Sequence, residues 1–258
     1  MTSTTLDTFT IGGDLTVNRL GYGTMQLTGP GVWGEPRDPD EAVRVLRRAL
    51  ELGVNFIDTA DSYGPHVAEQ ILYEALHPYP DDVVIATKAG LTRNGPDVVD
   101  TDSGPKRLGP AAWPPVGRPE YLRQQVLMSM RRLGVDQIDL LQLHRVDPKV
   151  PLADQIGELK ALQDEGKIRE IGMSQCTVAQ LDEARQIANI VSVQSRFNVI
   201  DRSANATPAI PSPAKQVCSN ERQSARSNIP AGISRIPPPT TSSSLATEAT
   251  HGPSPPFP

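Results

Sequence analysis

Asn55-Phe56-Ile57-Asp58-Thr59-Ala60-Asp61-Ser62-Tyr63-Gly64 is the stretch on which the fold is decided. Its front half belongs to a short apolar run, Val54-Asn55-Phe56-Ile57, that stops on the carboxylate of Asp58. A helical pattern precedes it over residues 40–52. Ala42, Val43, Leu46, Ala49 and Leu50 form the apolar face of a 3.6-residue period. Gly53 lies just past that pattern, where glycine often ends a helix. The same unit recurs outward along the chain. Val83-Val84-Ile85-Ala86, Ile138-Asp139-Leu140-Leu141, residues 168–171 and Val191-Ser192-Val193 read as strands. Helical patterns near 66–77, 119–133, 151–165 and 177–188 separate them, with Gly134 and Gly166 as stops. The first clear strand in this reading is the one at 54–57.

Strands that alternate with helices imply a parallel sheet with right-handed crossovers, either doubly wound or closed into a barrel. The strand ends choose between them. Each apolar run finishes on a polar residue: Asp58, Lys88, His144, the pair Ser174-Gln175, and Gln194. The intervals are 30, 56, 30 and 20 residues. A βα repeat takes about 30 residues, and the interval of 56 is one repeat plus a Gly- and Pro-rich insertion at 89–118. That insertion lacks helical period and reads as a long loop between a strand and its helix. In a barrel all strand C-termini share one rim, where active sites sit. A doubly wound sheet would also show a Gly-rich phosphate turn after its first strand, and Gly21-Tyr22-Gly23 is too short for one. The expected class is α/β, a TIM (β/α)8 barrel, incomplete, with about six βα units recognisable. The 258 residues suit such a barrel, which typically needs about 250.

Four of the rim residues make chemical sense together. A phenol donates its proton poorly at neutral pH, and a neighbouring ammonium lowers its pKa. Lys88 would do this for Tyr63, and Asp58 would hold Lys88 charged and in place. His144 could hydrogen-bond a carbonyl oxygen or relay a proton to it. Tyr63 would then be the general acid that protonates the oxygen as hydride reaches the carbon. No side chain supplies a hydride, so a cofactor must. Each residue also has an ordinary reading when taken alone. Asp58 could cap a turn, Lys88 could be a solvated strand end, His144 a structural histidine, and Ser174 a helix N-cap. His66 and His77 read as helix-face residues, and Cys176 carries no mark of a nucleophile. No metal-ligand spacing is present.

The stretch 55–64 closely resembles the aldo-keto reductase signature. Gly21-Tyr22-Gly23-Thr24-Met25 resembles that family's first barrel strand. Ala86-Thr87-Lys88, Leu141-Gln142-Leu143-His144, residues 166–172 and Val193-Gln194-Ser195-Arg196-Phe197-Asn198 match in order and spacing. The resemblance covers roughly residues 8–202. It implies a TIM barrel, NADPH as cofactor and a small aldehyde or ketone as substrate. By position, Asp58, Tyr63, Lys88 and His144 match the family's catalytic tetrad. Ser174, Gln175 and Gln194 match positions that hold the nicotinamide carboxamide, and Thr24 and Met25 match positions that lie near the cofactor in the family. Residues 28–31 through Pro65-His66 resemble a bacterial subgroup that includes pyridoxal reductases. One departure is Gln175, where the family usually carries Asn.

The second departure is larger. After Arg202 the chain turns rich in Pro, Ser and Thr, with Pro237-Pro238-Pro239 and Ser242-Ser243-Ser244 and no apolar period. Such sequence buries too little surface to offset its ordering entropy. The expected organisation is a partial barrel over 1–202 and a low-complexity, disordered tail over 203–258. Nothing in the tail resembles the family's last two βα units. The abrupt change is what a reading-frame shift in a GC-rich gene produces, and the C-terminal part is expected to be truncated or frame-shifted. Two functions follow. One is NADPH-dependent reduction of an aldehyde or ketone, and the other is a catalytically inactive truncated barrel, at most a binding or interaction fragment. The net charge of -5 offers phosphates no basic field, so nucleic acid is not an expected partner. No run approaches the length of a membrane helix. Two cysteines and a polar N-terminus without an apolar signal core point to the cytoplasm. The oligomeric state is left open.

Overall fold

The computed structural model describes residues 8–196 and the backbone of Lys215–Ser219. Contacts divide the chain into Met1–Arg222 and Gln223–Pro258, and every described residue lies in the first unit. The 202/203 boundary and most of the expected tail lie outside the described residues.

The central sheet follows the βα repeat. β3 (Tyr22–Gly23), β4 (Phe56–Asp58), β5 (Val84–Ala89), β8 (Ile138–Leu143), β9 (Ile168–Ser174), β10 (Ile190–Arg196) and β11 (Lys215–Ser219) lie side by side in that order, every pair parallel. The sheet curls into a half barrel of six strands, with β11 beside β10. β11 falls inside the stretch that carried no strand signal in the sequence. Its backbone pairing is the one described feature there.

The helices are α1 (Pro39–Glu51), α2 (Val67–Leu76), α3 (Pro119–Leu133), α4 (Leu152–Asp164) and α5 (Val178–Arg185). Local chemistry sets their ends. Asp38 caps α1 by accepting from the Glu41 N–H at 2.9 Å, with Pro39 in the first turn. Thr177 and Gln180 form a reciprocal capping box on α5. Gly134 ends α3 in the left-handed region at φ 67, and a Cβ there would strike the Tyr73 ring. His66 and His77 bracket α2 as its flanking residues and do not ride on its face. His66 takes a left-handed φ of 73, which lets the chain turn into the helix.

Two hairpins escaped the sequence reading. β1 (Thr8–Ile11) and β2 (Leu15–Asn18) pair antiparallel around Gly12-Gly13-Asp14. The 89–118 insertion is partly ordered: it carries β6 (Val98–Thr101) and β7 (Gly104–Arg107), an antiparallel pair, then a 3-10 turn at Gly109–Ala112.

Three apolar clusters follow from the period-two alternation of the strands. Ile57 and Ile85 meet α1 and α2 on the outside, with Leu46 and Leu72. Leu141, Leu143, Ile171 and Met173 meet α3, α4 and α5, also outside. The interior cluster joins Phe56, Val84, Ala86, Leu140 and Val191 to Ile11, Leu15 and Val17 of the hairpin. The β1–β2 hairpin therefore plugs the base of the barrel. Arg169 on β9 ties it down by donating to Asp14 at 2.7 Å.

Candidate active site

The alternation that lines the base with apolar groups carries polar ones to the other end. Val84, Ala86 and Lys88 share a face of β5, and Phe56 and Asp58 share a face of β4. His144 follows β8 directly, and its N–H donates to the Ala89 carbonyl at 2.8 Å. The loop after β4 folds over β5, since the Asp61 N–H donates to the Lys88 carbonyl at 3.2 Å. That brings Tyr63 over the same strand ends.

Lys88 is the hub. Its Nζ donates to Asp58 at 2.8 Å, to the Thr59 carbonyl at 2.9 Å and to Tyr63 Oη at 3.2 Å. The side chain is 1 % exposed. Burial pulls the ammonium pKa down, but Asp58 and Tyr63 together outweigh that and raise it above the ordinary lysine value. Lys88 is therefore charged at neutral pH. Tyr63 is 4 % exposed and His144 5 %, and their rings meet edge to face at 5.9 Å. Burial first, then the charges of Lys88, Arg145 and Arg93, hold the His144 imidazole well below its usual pKa. It is neutral where Lys88 is charged. All four residues singled out in the sequence thus converge within a few ångströms.

The other expected residues line the same rim. Ser174 ends β9, buried, with its Oγ accepting from Arg145 Nη1 at 3.0 Å. It is a strand end, since the cap of α5 is Thr177. Gln194 on β10 pairs in register with Ser174. The Gln175 N–H donates to the Gln194 carbonyl at 2.9 Å, and the Gln175 side chain is exposed. Gln175 sits at φ 54, a left-handed conformation that Asn tolerates better than Gln. The backbone thus gives a physical reason for Asn at this place and a cost for Gln. A hydroxyl and two side-chain amides gathered on adjacent strand ends have the donors and acceptors that a carboxamide needs. Thr24 is buried and donates to Thr59 Oγ1 at 2.9 Å. Met25 packs in the cluster that holds Tyr63.

Several rim residues were missed in the sequence. Arg93, from the insertion, stacks its guanidinium on Trp113 at 3.5 Å from the ring centroid and lies 5.5 Å from that of Trp33. It donates to the carbonyls of Gly31, Val32, Ser62 and Gly95 at 2.6–3.0 Å. Burial lowers its pKa to about 10, against the pull of Asp97, so it stays charged. Trp113 in turn meets the Tyr63 ring edge to face at 6.4 Å. The insertion is thereby pinned over the mouth. Inside the barrel Gln142 Nε2 donates to Ser192 Oγ at 3.3 Å. A register shift in β10 between Ile190 and Ser192 places Val191 in the interior cluster while Val193 packs outside. Gly172 makes room for this pair, because a Cβ there would strike Ser192 Oγ. Behind the mouth, Glu69 accepts from Arg132 Nε at 2.6 Å and from Thr87 Oγ1 at 2.7 Å. Among the described residues no group of three His, Cys, Asp or Glu side chains gathers as a metal site would require. No helix among them is long and apolar enough to cross a membrane.

Comparison with known proteins finds relatives of this chain. The family model described as the aldo/keto reductase family matches residues 19–219. An uncharacterized oxidoreductase of Schizosaccharomyces pombe is 52% identical over 190 residues, 74% of this chain and 57% of its own length. The pyridoxine 4-dehydrogenase of Escherichia coli is 45% identical over 206 residues, 78% of this chain and 67% of its own. A glycerol dehydrogenase structure from Gluconobacter oxydans superposes with a TM-score of 0.68 at 33% identity, covering 83% of this chain and 63% of that one. The chain thus spans little more than half the length of its Schizosaccharomyces pombe relative.

Proposed function

This chain belongs to the aldo/keto reductase family, and on that premise we propose that it reduces an aldehyde or ketone to the alcohol with NADPH. The observation that carries the reading is the threefold grip of the buried Lys88 ammonium on Asp58, the Thr59 carbonyl and Tyr63 Oη. An ammonium 3.2 Å from a phenol stabilises the phenolate left once the proton has gone. Tyr63 is the general acid and gives its proton to the carbonyl oxygen. Asp58 keeps Lys88 charged. His144, neutral, donates a hydrogen bond to the same oxygen and fixes its position. The hydride is the one part that no side chain supplies, and it is the chemistry that NADPH contributes when bound. Ser174, Gln175 and Gln194 would hold its carboxamide, with Thr24 and Met25 alongside. In reverse, with the oxidised cofactor as the hydride acceptor, Tyr63 would be the base that takes the alcohol proton. The named activities of the Escherichia coli and Gluconobacter oxydans relatives make pyridoxal and glyceraldehyde the substrates to try first.

The test is a titration of the purified chain with NADPH and, in parallel, NADH, followed by cofactor fluorescence. Saturable binding at about micromolar concentration, tighter for NADPH, and turnover of either aldehyde are the expected results. A folded chain that binds neither cofactor would overturn the reading and leave an inactive barrel fragment.

A further inference from the structure

Arg93 does more than hold the insertion down, because of where its ring partner stands. The two limbs of the insertion pair near its base. The Thr92 N–H donates to the Pro114 carbonyl at 3.0 Å, and the Asn94 N–H donates to the Ala112 carbonyl at 3.1 Å. That register sets Arg93 opposite Trp113, where cross-strand side chains meet. Trp113 is then fixed on three sides. The Arg93 guanidinium lies 3.5 Å from its ring centroid, its Nε1–H donates to Asp97 Oδ1 at 3.2 Å, and its ring meets that of Tyr63 edge to face. The indole therefore stands beside the proton donor, where a substrate has to approach, and aromatic side chains are common lining for such pockets.

The grip of Arg93 depends on its shape. Nη1 donates to the Val32 and Ser62 carbonyls, and Nη2 donates to those of Gly31 and Gly95. These acceptors come from three separate loops. A planar fork with several N–H donors can reach them together and still stack on a ring, which the point charge of a lysine cannot do. The reacting groups are held by other means. Tyr63 Oη keeps Lys88 at 3.2 Å, the Tyr63 N–H donates to the Ala60 carbonyl at 3.2 Å, and Ser62 Oγ lies 3.2 Å from His144 Nδ1. Loss of Arg93 would release the Trp113 wall and leave the tetrad in place.

We propose that Arg93 is a positioning residue that builds the substrate wall: it fixes Trp113 beside Tyr63 and so governs how tightly the carbonyl substrate is held, not how fast its proton is transferred. The substrate half of this rests on the reading given under the proposed function, whereas the fixing of Trp113 does not.

The test uses the full chain carrying Arg93→Met or Arg93→Lys, the second of which keeps the charge and loses the fork. The chain has two tryptophans, Trp33 and Trp113, and both lie against Arg93, so tryptophan emission reads this corner directly. Both variants are expected to keep the native far-UV circular dichroism and to be quenched by acrylamide more readily than the native chain. Their KM should rise roughly tenfold, with kcat within about twofold of native. Trp113→Leu should raise KM to a similar degree, and adding Arg93→Met to it should raise KM little further. Native quenching or a native KM in Arg93→Lys would overturn the proposal. So would a fall in kcat with KM unchanged, or KM increases that multiply in the double variant. Should the native chain show no turnover at all, the functional reading fails and quenching alone decides: more readily quenched variants uphold the fixing of Trp113, and native quenching overturns it.

Discussion

Along β5, Val84 and Ala86 face the interior near the base, and Lys88 faces it at the mouth. β4 repeats this with Phe56 and Asp58, and β8 with Leu140 and Gln142. Base and mouth are thus two ends of the same strand faces. At the base, apolar side chains from strands and hairpin close on one another. Around the mouth lie buried polar atoms with no hydrogen-bond partner: Gln142 Oε1, Arg93 Nε, and Asp58 Oδ1, which is held by its ion pair with Lys88. Glu158, on the outer face of α4, is another such case, and it is ion-paired with Arg123. Unpaired buried groups in a native fold call for an explanation, and functional sites supply one. The base holds the fold together, and the mouth gives up stability to keep charged groups where a reaction can use them.

Four measurements sharpen or break that division. The largest effect is expected for Tyr63→Phe. Turnover should fall about 10²–10⁴-fold, while stability moves by no more than about 1.5 kcal/mol, the worth of one hydrogen bond. Unchanged turnover would remove Tyr63 as the acid. Lys88→Met is next, because it strands the Asp58 carboxylate without its cation. Denaturant unfolding should show a loss of about 3–5 kcal/mol, and the double change with Asp58→Asn should recover most of it. A double variant as unstable as the single one would mean that packing, and not charge, holds this corner. Leu140→Ala probes the base. A stability loss of about 2–5 kcal/mol is expected there, with kcat within about twofold of native at a temperature where both are folded. A large fall in kcat would show that base and mouth are coupled.

The smallest effect is a pH dependence. The folded His144 imidazole is held below its ordinary value of 6.5, so the unfolded chain binds a proton that the folded one refuses. Its contribution is intact above about pH 6.5 and is lost as the pH falls below it, by up to ~1.4 kcal/mol per unit, until the folded pKa is reached. The His144→Asn variant should lack that part of the acid loss between pH 7 and 5. Parallel stability curves for the two proteins would mean that His144 titrates normally.

How much of this was legible follows the distance over which each feature is made. The strands and helices are local, and the periodicity located five strands and five helices to within a few residues. The convergence of Asp58, Lys88 and His144 was legible because a parallel sheet sends every strand C-terminus to one edge. The β1–β2 hairpin was legible in principle. Phe9-Thr10-Ile11 and Leu15-Thr16-Val17 alternate across Gly12-Gly13-Asp14, a hairpin signal that the stronger βα repeat obscured. Arg93 was not legible, since its acceptors Gly31 and Ser62 are 62 and 31 residues away and only the folded chain brings them together. The same holds for Ser62 and His144, 82 residues apart. Gln175 was noted as unusual, but the reason, a left-handed φ, belongs to the backbone.

The hairpin at the base also bears on the order in which the chain can fold. Asp14 is bound by Arg169, 155 residues later, and the cluster around Ile11 and Leu15 is completed by Val191. At roughly 5–20 residues per second of synthesis, the hairpin waits about 8–30 s for Arg169. During that time Ile11, Leu15 and Val17 have no complete partner surface. Contacts so distant in sequence are slow to form, so the first strands made are among the last to be seated. A pause in synthesis between β8 and β10 would prolong the exposure of that apolar face, and it marks the interval in which a chaperone would have most to do.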